Sequence, residues 1–184
     1  MNSTYPGTTV EVVKLERQAS KALFDGIFAT GGITLSQVSL MTGLEPYLIQ
    51  NWVKRGFVSP PVKRLYSREQ FARIVIINML REALQIDCIC NLIRIIGKET
   101  DSPDDDLISN DELYHRYVNM LCDTKINLSD KQTVLHAAME AAEDFQSPYA
   151  GASAQLVKIL QIMLYAHAAS ALRANAETML ASLS

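Results

Sequence analysis

The chain has 184 residues, 48% of them hydrophobic and 20% charged, with a formal net charge of −3. That suits one compact domain or two small ones with a real core. No run is long enough to cross a bilayer: the most apolar stretch, Ile159–Leu172, is interrupted by Gln161 and His167. The amino terminus lacks the cationic start and apolar core of a secretory signal, so a cytoplasmic protein is the expectation.

Val10–Ala29 reads as a helix with apolar Val12, Val13, Leu15, Ala19, Leu23 and Phe24, separated from the next helix by Gly31-Gly32. Thr34 with Gln37 makes a capping box, which starts a helix near Leu35 and buries Leu35, Val38 and Met41. Gly43 suits the left-handed residue that closes it, and Pro46 fits the first turn of a second helix. On a wheel of that second helix Leu44, Leu48, Ile49, Trp52 and Val53 share one side. Tyr47, Gln50, Asn51 and Lys54 fall at i, i+3, i+4 and i+7 on the other. This polar stripe offers amides, a phenol and a cation, the groups that read base edges and phosphates in a major groove.

Gly56 ends the second helix, and Phe57-Val58 reads as a short strand or extended segment. Pro60-Pro61 forbids helix and leads into a tight loop pointing Lys63, Arg64 and Tyr66 outward. Ser67 with Gln70 is another capping box, opening a helix to about Leu84. Its apolar positions (Phe71, Ile74, Val75, Ile77, Leu80) cover more than half the circumference, so it is buried and forms the spine of the domain. The sum is a helix-turn-helix with a short basic wing between Ile33 and Lys98.

Further along, Asp87 is placed to cap a helix carrying Ile89, Leu92, Ile93 and Ile96. Glu99–Asp106, with Pro103 and four aspartates, reads as a solvated linker; it lacks the alternating ligands, glycine and final Glu of a calcium loop. Ser109 with Glu112 and Ser129 with Gln132 open helices over about Asp111–Cys122 and Asp130–Phe145. Pro148 and Gly151 break the pattern before an alanine-rich helix, Ala152–Leu183. Its stripe Leu156, Ile159, Met163, Ala166 and Ser170 reads first as a core face. A dimer seam and an apolar effector pocket anchored by Tyr114, Tyr117 or Tyr165 are the alternatives.

These residues carry a resemblance. Thr42-Gly43-Leu44, Trp52–Val58 and Arg64–Ser67 leading to Arg73-Ile74 and Leu80-Arg81 resemble, in spacing, the winged helix-turn-helix of MerR-type transcription regulators. The sequence departs from them in a shorter wing and in Asn51, where an aromatic is typical. Gly31–Gln37, Ile49–Gly56 and Asp104–Ile108 are closer still to a family of bacterial proteins known only as a domain of unknown function, over roughly Ala22 to Cys122. The first resemblance implies sequence-specific binding of double-stranded DNA by a homodimer.

Charge points the same way. Residues 33–98 hold nine Lys and Arg against four acids, a net of +5, while residues 99–184 hold five against thirteen, a net of −8. Catalysis finds little support: His115, His136 and His167 fall in separate helices, and no phosphate-cradling glycine loop, nucleophile elbow or HExxH occurs. Cys88, Cys90 and Cys122 read as small core residues, so no metal or cofactor is expected.

The expectation is thus an all-α protein with a MerR-like winged helix-turn-helix followed by a C-terminal helical bundle. Its parts are an N-terminal helix (1–32), the DNA-binding domain (33–98), an acidic linker (99–110) and a helical domain (111–184). It is expected to regulate transcription and not to be an enzyme. Tyr47, Gln50 and Asn51 would face bases, with Tyr66 beside them on the wing, and Lys54, Lys63, Arg64 and Arg68 would hold phosphates. The runner-up is a protein-interaction module built on the same fold.

Overall fold

A computed structural model describes residues 3–97, 106–122 and 126–183. They form eight helices and two short antiparallel ribbons. The first ribbon pairs β1 (Ser3–Thr4) with β2 (Glu11–Val12), and α1 (Ala19–Ile27) comes after it. The expected Val10–Ala29 helix is therefore cut to its second half. Gln18, with φ 65°, is its left-handed N-cap, and the β-branched run before it enters the ribbon. Thr9 ties this segment down, its N–H donating to the Met41 carbonyl at 2.8 Å and its hydroxyl to that of Leu40 at 2.7 Å.

Next come β3 (Ile33–Thr34), α2 (Leu35–Thr42), α3 (Pro46–Lys54), β4 (Leu65–Tyr66) and α4 (Arg68–Leu80). Both capping boxes form as the sequence implies, Thr34 with Gln37 and Ser67 with Gln70. Gly43 (φ 68°) closes α2 and Pro46 opens α3. Phe57-Val58 joins no strand; β3 pairs instead with β4, Ile33 opposite Tyr66 and Thr34 opposite Leu65. Gly32 makes that pairing fit, since a Cβ there would stand 2.8 Å from that of Leu65 and 2.9 Å from the Tyr66 carbonyl oxygen.

Helix α4 is the buried spine, with Phe71, Ile74, Val75, Ile77 and Leu80 all inside. It packs on α6 (Asn110–Leu121), which in turn meets α7 (Lys131–Ala141) and α8 (Ala152–Ala181). One hydrophobic core runs from Tyr5 through α4 to Ala166, so residues 33–97 and 111–183 share it. Glu69 locks the joint: its carboxylate accepts from the Asn110 and Asp111 backbone N–H groups at 2.8 and 3.0 Å, at the start of α6.

Several local expectations change. Helix α5 (Ile86–Ile96) has Gln85 as N-cap, with Asp87 inside its first turn. Asp130, not Ser129, caps α7, its carboxylate accepting from the Gln132 N–H at 2.9 Å. Lys98 and most of the acidic linker lie outside the described residues. Leu107 and Ile108 are buried, and the Leu107 N–H donates to Ile96 at 2.8 Å, so the end of that segment belongs to the core. Cys90 is buried and Cys122 half-buried, but Cys88 is exposed.

In α8 the stripe Leu156, Ile159, Met163 and Ala166 is buried and Ser170 half-buried, which makes it a core face. Two of the tyrosine anchors considered for an effector are committed elsewhere, and the third faces solvent. The Tyr114 hydroxyl donates to the Pro6 carbonyl at 2.9 Å, Tyr117 pairs with His167 Nδ1 at 2.5 Å, and Tyr165 is exposed. No helix among the described residues is long and apolar enough to cross a membrane.

Candidate nucleic-acid interface

Helix α3 is held by its apolar side. Ile49 and Trp52 are buried, Leu44 before them is buried, and Leu48 and Val53 are half-buried. That anchoring turns Tyr47, Gln50, Asn51 and Lys54 to solvent, with Tyr47 69% exposed. The turn into α3 is fixed by small polar side chains. The Ser39 hydroxyl donates to the Leu44 carbonyl at 2.6 Å, and the Thr42 hydroxyl donates to Val38 at 2.7 Å while accepting from the Leu44 N–H at 3.3 Å. Polar side chains here complete the backbone's hydrogen bonding where regular helix stops.

Beside α3 stands a hairpin. Val62 and Leu65 bond to each other in both directions, at 3.1 and 2.9 Å, leaving Lys63 and Arg64 as its two-residue tip. Their φ values are 49° and 66°, both left-handed, as a type I′ turn requires. Asn and Gly adopt that conformation readily, whereas a lysine and an arginine meet a steric penalty. Two cations are thereby held at the exposed end of a rigid turn.

Gln70 fixes the base of this hairpin. Its side-chain amide donates to the Ser59 carbonyl (2.8 Å), the Ser59 hydroxyl (3.0 Å) and the Pro60 carbonyl (2.9 Å). The same side chain accepts from the Ser67 N–H at 2.8 Å, completing the α4 capping box. Between α3 and the hairpin lies an open groove of about 350 Å³, lined by Leu35, Gln50, Val53, Pro61, Arg64 and Tyr66.

Six of the eight residues expected at this surface are on it: Tyr47, Gln50, Asn51, Lys54, Lys63 and Arg64. Tyr66 is 3% exposed and forms the groove floor; burial raises its phenol pKa. It pairs opposite Ile33, whose side chain is also inside, so the strand turns both residues into the core. Arg68 faces elsewhere. Its guanidinium donates to Asp111 at 2.7 Å and to Asp25, bridging α4 to α1 and α6, and lies 3.2 Å from His115 Nε2. Arg55, absent from the expected contacts, is exposed beside Lys54 with its guanidinium 4.6 Å from the Phe57 ring centroid. The sequence signal for it is a second base directly before Gly56.

His115 lies 2.9 Å from the Ser20 hydroxyl and 2.8 Å from Asp111, an i,i+4 pair not among the sequence expectations. His167 is pushed down from its usual pKa by burial. His136 is exposed. No group of three or more His, Cys, Asp or Glu side chains among the described residues is placed to hold a metal ion.

The architecture is predominantly helical. Residues 33–117 match the family described as Domain of unknown function (DUF1836), a narrower span than the Ala22–Cys122 expected from the motifs. No curated protein and no solved structure matches the chain.

Proposed function

We propose that this protein is a sequence-specific DNA-binding transcription regulator of the MerR-like, winged helix-turn-helix type. In this reading α2 and α3 are the helix-turn-helix, with α3 entering the major groove and the Lys63–Arg64 hairpin as the wing. The observation that carries the reading is the pairing of an exposed polar face on α3 with a strained, doubly cationic hairpin tip beside it. Strain held at an exposed site is a reasonable mark of function.

Roles follow from chemistry. Gln50 and Asn51 each carry a donor and an acceptor suited to bidentate pairing with an adenine edge, and Tyr47 flanks them. Lys54, Lys63 and Arg64 neutralise phosphates, with Arg55 a further candidate. Arg68 is a positioning residue, because its guanidinium is engaged in joining the reader to α1 and α6. Selection of binding sites from a random DNA pool tests the proposal. Wild-type protein should enrich one sequence, and the folded Gln50→Ala, Asn51→Ala double variant should lose that preference. Failure of wild-type protein to enrich any DNA would favour a protein-interaction module.

A further inference from the structure

The hairpin has a second face. Side chains alternate across paired strands. Pro61, Arg64 and Tyr66 line the groove beside α3, while the cross-strand partners Val62 and Leu65 turn the other way. Val62 is 74% exposed and Leu65 40%. They form the apolar wall of a larger open cavity, of about 860 Å³, whose other wall is the start of α4 and of α6.

Among the described residues four charged groups line this cavity: Lys63, Glu69, Arg73 and Asp106. Two cations balance two carboxylates, so the cavity has no net field to draw in a polyanion such as a nucleotide. The Glu69 carboxylate is already occupied by the N–H groups that open α6. Arg73 and Asp106 are not so engaged. The Arg73 guanidinium makes one long hydrogen bond, from Nε to the Asn110 side-chain carbonyl at 3.4 Å, and Asp106 makes none among the described residues. Burial holds the Arg73 pKa below its usual value, while the Glu69 and Asp106 charges pull it up. A guanidinium withdrawn from water without its acceptors is destabilising until a counter-charge meets it.

Gly97, which follows α5, lies against both groups. Its φ of −124° and ψ of 115° suit any residue, so what the glycine supplies is space. A Cβ there would stand 3.2 Å from Arg73 Nη2 and 3.4 Å from Asp106 Oδ1. The two opposite charges flank one small gap, yet no ion pair joins them.

We propose that this cavity binds a free α-amino acid with an apolar side chain. Its carboxylate would meet Arg73, its ammonium Asp106, and its side chain the wall of Val62 and Leu65. A ligand with one charge satisfies one of the two groups and is repelled by the other. An α-amino acid carries both charges on one carbon, which a neighbouring guanidinium and carboxylate hold at once. Paired N–H bonds from the guanidinium to the ligand carboxylate add direction. A few placed polar groups beside apolar walls is the usual make-up of a small-molecule site.

The test uses the protein without DNA, so its failure and that of the proposed function are separable. Calorimetric titration of the full chain with L-leucine, L-isoleucine, L-methionine and L-phenylalanine should show saturable binding of at least one, with a Kd of about 1 mM or tighter. The same ligand lacking its amino group, or lacking its carboxylate, should bind at least about tenfold more weakly, the scale of one charge-assisted hydrogen bond. Asp106→Asn removes no hydrogen bond of the fold; it should weaken the amino acid to the same degree and leave the deaminated acid bound as well or better. Arg73→Gln should lose both. Three results would each overturn the proposal: no binding of the four amino acids at about 10 mM, a deaminated acid that matches its amino acid on wild type, or an Asp106→Asn variant with unchanged preference.

Discussion

The Gln70 side-chain amide donates to the Ser59 carbonyl at 2.8 Å, so the residue that caps α4 also anchors the hairpin in front of it. The hairpin's position is therefore inherited from the most deeply buried helix. Replacing Gln70 with Ala should remove both functions and destabilise the protein by about 1–2 kcal/mol, the scale of a lost cap and its hydrogen bonds. Hydrogen exchange should accelerate at residues 59–66 more than in the core. Equal acceleration throughout would mean that Gln70 supports the fold in general and not the hairpin in particular.

Trp52 is 3% exposed and holds α3 against the core. Trp52→Ala should cost roughly 3–5 kcal/mol in chemical denaturation. A loss under about 1 kcal/mol would reverse the assignment of the two faces of α3.

The hairpin tip separates stability from function. Lys63→Asn with Arg64→Gly supplies the residues a type I′ turn favours and should stabilise the protein by on the order of 1 kcal/mol. The same change removes two cations and should weaken DNA binding. A melting temperature that falls, or an unchanged affinity, would contradict the account.

Acid sensitivity follows from Asp111. Burial raises its pKa, but hydrogen bonds from His115 and Arg68 outweigh that and hold it below the usual value. A carboxylate depressed in the folded state contributes stability that is complete above the unfolded pKa of about 3.9 and lost as pH falls through the lower, folded value. Unfolding midpoints should therefore drop below about pH 4, and Asp111→Asn should flatten that drop while lowering stability at neutral pH. An identical pH profile in the variant would remove Asp111 from the acid transition.

What the sequence made legible was local. Thr34–Gln37, Ser67–Gln70, Gly43 and Pro46 act within one turn of chain, and the faces of α3 follow from a period of 3.6, so these elements were readable directly. Arg68 was not, because its partners Asp25 and Asp111 each lie 43 residues away and only the fold brings them together. The Val10–Val13 segment has helical spacing, yet its pairing with β1, next to Thr9 bonded to Met41 of α2, prevails over that pattern. Tyr66 was misplaced for a smaller reason. Beyond the two-residue turn, pairing with Ile33 decides which way the strand's side chains point, and a one-residue slip exchanges inside for outside.

The salt dependence of DNA binding tests the central claim most directly, because only neutralised phosphates release counterions. With Lys54, Lys63 and Arg64 on phosphates, the logarithm of the affinity should fall against the logarithm of salt concentration with a slope of about −3 for each bound reader. Lys63→Ala with Arg64→Ala should bring that slope to about −1. A wild-type affinity that is indifferent to salt, or a slope unchanged in the variant, would contradict the assignment of the α3 face and its hairpin to DNA.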